Sequence, residues 1–560
     1  MEPGSSGDGR SFWRQVIAGL LVLLVVALAL IALSGYFSPD PEPVHVRILA
    51  VNDFHGQLPD GQKLNGEPAG SAPVLASYLR SAMADGGGAV TFIALPGDVV
   101  GASPPESGLL LDEPAVLFFN GLADDCSGMI ATFGNHEFDR GPDELMRLVH
   151  GGNGATKITR PVDPYPGAVA EYVSSNVVWK TNGTLLAAPY TIRDAGGAKI
   201  AFVGATTIET PSIVTAAKIE DIRFEDEVAS INRYIPEIQQ QGVHAIVVVL
   251  HEGGEQDPYD GPTREGENVT GRVAGIVSGL DADVDVVLSG HTHVFTNAYL
   301  ENAGGNRVLV TQAYSYSRAF SDVEIVIDPI TGDVTRASAR IVPAYRDGAV
   351  PDPAAQSLLE ACREAIGPMV SRVITTTSAD ITRVQTDAGE SALGNLVADS
   401  LRAAMGADIA FITTGSLRAD LAEGDVTWGD LYAVQPFSST VLSMTLTGEQ
   451  VRAALERQWE APLPPHNLAV SGLTYTFDER KPVGDRVVEV WVNGTPLDPN
   501  GNYTAAMVNF LAGGGDKYTV FREGKNIANG PYDVDALVAY MESLPAPVEM
   551  KPEGRVAKVA

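Results

Sequence analysis

The chain has 560 residues, 45% of them hydrophobic, and a formal net charge of -32. That length and apolar content call for at least two buried cores and exclude a disordered chain, while the acidic balance argues against a nucleic-acid polymer as partner. A small phosphate ester stays compatible, because bound divalent cations and a few arginines reverse the potential locally.

Residues 16–33 form an unbroken apolar or glycine run of 18 residues, preceded by Arg10 and Arg14. Such a segment enters a membrane. Its length suits a retained anchor, with Ala32-Leu33-Ser34 as a cleavage site in the alternative case. Either way the remainder is expected to face the periplasm or the cell surface. Residues 1–43 therefore read as tail, membrane segment and linker.

Beyond residue 43 a short apolar run repeatedly ends in polar, Gly-rich sequence, the signature of a buried strand followed by a loop. Five such junctions stand out. Residues 46–51 precede Asn52-Asp-Phe-His55, residues 91–95 precede Pro96-Gly-Asp98, and residues 129–133 precede Gly134-Asn-His-Glu-Phe-Asp139. Residues 245–250 precede His251-Glu-Gly-Gly254, and 284–288 precede Ser289-Gly-His-Thr-His293. Helix-compatible stretches at 71–84 and 225–240 fall between them. Apolar strands alternating with helices predict an α/β fold with sheets covered on both faces, spanning 44–345. A helix near 354–365 reads as an interdomain linker within 346–370, followed by a second α/β region over 371–560. That region opens with a helix at 393–405 and holds a Pro-rich surface loop at 461–467.

Of nine histidines, five lie at those strand ends: His55, His136, His251, His291 and His293. Asp53, Asp98 and Asn135 stand beside them with oxygen donors. Sites in α/β sheets form outside the carboxyl ends of strands, which would bring these distant segments together. Imidazole, carboxylate and amide donors suit Zn, Mn, Co or Fe, and their number predicts two divalent ions. Two cations a few ångströms apart activate a water and neutralise a phosphoryl group, so phosphate-ester hydrolysis is the expected chemistry. Cys126 and Cys362 are the only cysteines, and they supply neither a disulfide scaffold nor a thiolate zinc site.

Taken in order, Asp53-x-His55, Gly97-Asp98, Gly134-Asn-His136, His251 and Gly290-His-x-His293 resemble the calcineurin-like metallophosphoesterase pattern. Later stretches resemble the C-terminal domain of the bacterial 5'-nucleotidase and UDP-sugar hydrolase family. They are Leu393-Gly-Asn-Leu-Val-Ala-Asp399, Gly415-Ser-Leu-Arg418, Gln435-Pro-Phe437 and Asn509-Phe-Leu-Ala-Gly-Gly-Gly-Asp516. The resemblance implies a four-layer α/β/β/α metallophosphoesterase domain followed by a separate α/β substrate-binding domain. It implies that Asp53, His55 and His293 hold one ion, that Asn135, His251 and His291 hold the other, and that Asp98 bridges them. His136, oriented by Asp139, would stabilise charge on the transferring phosphoryl group. Phe437 and Phe510 would clamp a base, Asp516 would meet the ribose hydroxyls, and Arg418 and Arg383 would grip phosphate. Asn395 and Asp399 read as residues that cap or orient a helix.

The expected reaction is hydrolysis of nucleoside 5'-monophosphates, with other nucleotides and UDP-sugars within reach, and the implied family swings its C-terminal domain to deliver substrate. Two competitors are a 2',3'-cyclic-nucleotide phosphodiesterase with 3'-nucleotidase activity and a noncatalytic surface protein that binds metal or nucleoside.

Overall fold

A computed structural model describes residues 9–36, 42–155, 158–266, 268–460 and 467–559. Residues 1–8 and 37–41 of the expected N-terminal segment lie outside the described residues, as does all but Asn467 of the expected 461–467 loop. Gly9–Tyr36 is a helix of 28 residues. Its stretch Ser11–Leu28 has a mean hydropathy of 2.0 and no part buried against the chain, so it is long and apolar enough to cross a membrane.

The strand Val44–Ala50 shows how the layers arise. Side chains alternate between the faces of a strand. Val46, Ile48 and Ala50 join a core shared with Phe202, Val247 and Leu288 of a second sheet. Leu49 and, just past the strand, Val51 instead meet Leu75 and Leu79 of the helix Ala72–Ala84. Ala245–His251 repeats the pattern: Ala245, Val247 and Val249 face the middle core, while Ile246, Val248 and Leu250 pack on Ile231, Ile235 and Ile238 of the helix Glu227–Gln240. Burying each of these valine, leucine and isoleucine side chains contributes about 1.5–3 kcal/mol. The result is helices, a six-stranded mixed sheet, a seven-stranded mixed sheet and helices.

Strand direction fixes where loops gather. In the first sheet Val44–Ala50, Val90–Leu95, Met129–Ala131 and Glu171–Tyr172 run parallel. In the second, Lys199–Thr206, Ala245–His251, Val286–Leu288 and Arg307–Ala313 do the same. The five predicted junctions are therefore the carboxyl ends of parallel strands.

The linker helix is longer than expected, running Pro353–Val370 with Pro368 inside it. Ala355, Leu359, Cys362 and Ile366 recur at helical spacing and bury into the core behind the first sheet. A separate core, from Ile381 to Val556, serves the C-terminal part. There the helix Ala392–Met405 packs on a sheet ordered Leu468–Ser471, Ile409–Thr413, Asn502–Val508, Thr440–Thr447, Lys525–Tyr532.

Asn395 and Asp399 turn out not to cap that helix, because its cap is Ser391, whose hydroxyl accepts from Gly394 N. Asn395 donates to Glu390 at 2.7 Å, and Glu390 also accepts from the Glu553 and Gly554 amides. Asp399 takes both ends of the Arg555 guanidinium at 2.8 Å, with both side chains 11% exposed. These acids pin the C-terminal strand Val556–Lys558. Asp399→Ala removes the bidentate partner of Arg555, leaving it Glu553 and the Val470 carbonyl, and is expected to cost about 1.5–3 kcal/mol, read as a lower thermal midpoint. An unchanged midpoint would show the pair to be dispensable.

Candidate metal centre and adjoining cleft

Each strand end delivers its side chains through a tight turn. Asp53, His55, Asp98, His291 and His293 all have positive φ, between 49° and 79°, which non-glycine residues adopt at a cost of order 1 kcal/mol or more. Their concentration at one rim marks a place where side-chain position outweighs backbone comfort. Two glycines let the loops close up. A Cβ on Gly97, itself at φ 81°, would stand 2.6 Å from Gly134 N and from His251 Nδ1, and one on Gly134 would collide with Asp98.

The nine expected residues of this domain converge. Asp53, His55, Asp98 and His293 each offer a ligand atom within 4.8 Å of the others, and Asp98, His251 and His291 do likewise, so Asp98 belongs to both groups. His251 Nε2 lies 3.2 Å from Asp98 Oδ2 and 3.0 Å from Asn135 Oδ1. His55 Nε2 and His293 Nε2 approach to 3.0 Å. The remaining ring nitrogens are pinned from behind: His55 Nδ1 donates to Gly101 O at 2.9 Å and His251 Nδ1 to Pro96 O at 2.8 Å. A carbonyl can only accept, so in both rings Nδ1 carries a proton and Nε2 faces inward, the orientation a metal ligand needs. His136 Nδ1 donates to Asp139 Oδ2 at 2.8 Å, which turns its Nε2 away from the carboxylate.

The charges suit cations. Burial alone would raise the Asp98 carboxyl, but His251, His136 and His55 hold it well below the usual carboxylate range. Burial drives His55 well below its ordinary value and lowers His291 and His293, leaving neutral imidazoles, whereas Asp98 outweighs burial at His251 and pushes it up to about 10, so that ring gives up a proton when it takes a cation. For His136, burial is outweighed by Asp139 and Asp98, which raise it. Neutral imidazoles and ionised carboxylates are the forms that bind metal. A dinuclear metal site follows from two donor groups sharing one carboxylate.

Beside this centre lies a cavity of about 380 Å³ walled by both domains. Arg418, Phe437, Phe510 and Asp516 line it together with His136 and Asp139. The Phe437 ring stacks on His136, centroids 5.9 Å apart, and the Arg418 guanidinium lies 5.8 Å from the Phe437 centroid. Nε and Nη2 of Arg418 are buried and have no hydrogen-bond partner among the described residues. Arg383 is placed differently from the expectation. It is not among the lining residues; it pairs with Asp420 at 2.9 Å and donates to the carbonyls of Leu417 and Arg418. Its position braces the loop that carries Arg418.

Several residues of the site escaped sequence reading. Glu137, 3% exposed, accepts from the amides of Asp98, Val99 and Gly134 and so ties two ligand loops together. Burial, then the charge of Asp98, pushes its carboxyl up to about 7. Asn52 donates to Asp53 Oδ2 at 2.7 Å and to Tyr314 O, and accepts from Ala313 N. An acid between His136 and Phe138, two residues after Asn135 and two before Asp139, was the available signal for Glu137.

Comparison with known proteins agrees with this geometry. The family model described as Calcineurin-like phosphoesterase matches residues 46–295, and that described as 5'-nucleotidase, C-terminal domain, matches 372–523. The chain is 32% identical to Endonuclease YhcR of Bacillus subtilis, aligning over 93% of this chain but only 42% of that protein. It is also 32% identical to Cell wall protein Lmo0130 of Listeria monocytogenes, over 93% of this chain and 70% of that one. The crystal structure of a 5'-nucleotidase precursor from Thermus thermophilus superposes with a TM-score of 0.75 at 28% identity, covering 92% of this chain and 99% of that one. With two such domains, a shared-carboxylate metal site and a relative matched over most of its length, the chain belongs to the 5'-nucleotidase family of metallophosphoesterase hydrolases.

Proposed function

We propose that this protein hydrolyses nucleoside 5'-monophosphates to nucleoside and phosphate outside the cytoplasm. The observation that carries the reading is Arg418, a buried guanidinium with two unpartnered donors in a cavity that has carboxylate and imidazole ligands at one end and Phe437, Phe510 and Asp516 at the other. A planar fork of donors matches a phosphate with two parallel hydrogen bonds. Aromatic rings suit a base, and stacking contributes about 1–3 kcal/mol whatever its identity. When bound, two divalent cations, Zn, Mn, Co or Fe, activate water and neutralise phosphoryl charge.

The chain's own residues divide the remaining work. Asp53, His55, Asp98, Asn135, His251, His291 and His293 hold the cations. Arg418 orients the phosphate. His136, held by Asp139 at 2.8 Å, donates to a phosphoryl oxygen as charge develops there. The helix Gly9–Tyr36 carries the domains to the outer face of a membrane, in keeping with a relative named as a cell wall protein.

A second reading has one observation in its favour, the name Endonuclease YhcR, which points to polynucleotide phosphodiesters. The small cavity and the charge of -32 favour mononucleotides. Phosphate release with added Mn or Zn, from 5'-AMP, 3'-AMP, 2',3'-cyclic AMP, UDP-glucose and a single-stranded oligonucleotide, separates these. The expected result is a kcat/KM for 5'-AMP at least about tenfold above the rest, the equivalent of one well-placed contact, and activity on intact cells without lysis. Preference for the oligonucleotide or the cyclic ester would overturn the assignment, and absence of turnover on every substrate would favour a noncatalytic binder.

A further inference from the structure

An ion pair joins the two domains across the cavity. Lys517 Nζ, from the C-terminal domain, lies 2.8 Å from Glu209 Oε1 of the metal domain, with the side chains only 24% and 12% exposed. Glu209 does not stand alone. Arg272 Nη1 lies 4.0 Å from the same oxygen, and Arg272 also pairs with Glu252 at 2.8 Å and with Glu227 at 3.0 Å. Glu252 follows the ligand His251, and its carboxylate is held by Thr207 and by the Gly253 amide. A Lys–Glu–Arg–Glu relay thus runs from the C-terminal domain to the shoulder of the metal centre. Glu209, Arg272 and Glu252 all line the cavity.

The Lys517 end of the relay sits next to Asp516, and the two residues have φ values of 61° and 51°. Two consecutive non-glycine residues in the left-handed region persist only where surroundings over-determine them. Within the C-terminal domain Arg457 donates to Lys517 O at 2.9 Å. Among the described residues the Lys517 side chain is anchored by Glu209, in the opposite domain. The pair also acts on charge: an unneutralised Glu209 would repel an incoming phosphate, and Lys517 and Arg272 together offset it.

We propose that Lys517 and Glu209 are positioning residues that dock the loop bearing Asp516 onto the metal domain, setting the nucleoside end of the substrate in register with the phosphate end. The inference rests on the nucleotide reading above. Docking through a partly buried pair costs binding of the nucleoside portion when either partner is lost, while a substrate lacking ribose and base is largely indifferent.

The test compares 5'-AMP with p-nitrophenyl phosphate in the full chain carrying K517M, E209Q or K517R, with thermal unfolding as a check on folding. The expected result is a rise of about tenfold in KM for 5'-AMP in K517M and E209Q, a smaller loss on p-nitrophenyl phosphate, and recovery to within about threefold of wild type in K517R, which restores the charge. Equal losses on the two substrates, K517R as impaired as K517M, or no change in K517M and E209Q would each overturn the proposal while leaving the nucleotide reading intact. A wild type that cleaves p-nitrophenyl phosphate but not 5'-AMP would remove that reading and this inference with it.

Discussion

Asp98→Ala is expected to abolish most activity, at least about 10³-fold in kcat/KM, and to lower bound metal from two equivalents toward one or none. Asp98 is the residue common to both donor groups, and its carboxylate also accepts the His136 amide at 2.8 Å. Removing it takes a ligand from both ions at once and leaves His251 facing Asn135 without the negative charge that drew them together. A shared ligand is therefore worth more than an outer partner, whose loss typically costs 10–100-fold in metal affinity. Glu137→Gln supplies that comparison, because among the described residues the hydrogen bonds of Glu137 go to the amides of Asp98, Val99 and Gly134. Metal analysis of the two purified variants, alongside turnover of 5'-AMP, reads both effects. An Asp98→Ala protein that keeps two equivalents of metal would rule out the shared-carboxylate arrangement.

The parts of this centre that were legible in the sequence share one property: they lie where a buried parallel strand ends. Such strands read as continuous apolar runs, so the polar residues within the first few positions after a run stand out, as Asp53, Asp98, His251 and His291 do. Residues whose importance comes from a distant partner were not. Asn52 stands beside Asp53, yet its role depends on Ala313 and Tyr314, some 260 residues away. Arg383 had the right chemistry for a phosphate, but Asp420 and two backbone carbonyls lie within its reach, and a residue type says nothing about competing partners. Lys517 and Glu209, 308 positions apart, reveal themselves only when the domains are seen together. The layers were legible for the same reason as the strand ends. The true length of Pro353–Val370 was not, since a proline at 368 removes a helical N–H and crowds the preceding turn, yet the helix runs through it to Val370.

His136→Ala should keep its metal and lose its turnover. The backbone amide of His136 still reaches Asp98 in the variant, and its imidazole is in neither donor group, so two equivalents of metal are expected to remain. What disappears is the proposed donor to the phosphoryl group, a loss of about 10²–10³ in kcat. The ring has a second contact, however, since it stacks on Phe437 at 5.9 Å, and alanine would also loosen one side of the proposed base clamp. The two losses differ in kinetic form. A contact made only in the transition state lowers kcat and kcat/KM equally, whereas a weakened clamp raises KM. Phe437→Ala isolates the second effect, and Asp139→Asn, which leaves the ring in place but weakens its orientation and charge, isolates the first. If His136 acts on the phosphoryl group, His136→Ala and Asp139→Asn lower kcat with both 5'-AMP and p-nitrophenyl phosphate, and Phe437→Ala raises KM for 5'-AMP alone. A His136→Ala enzyme whose deficit is confined to KM for 5'-AMP would make the imidazole a wall of the base pocket and nothing more.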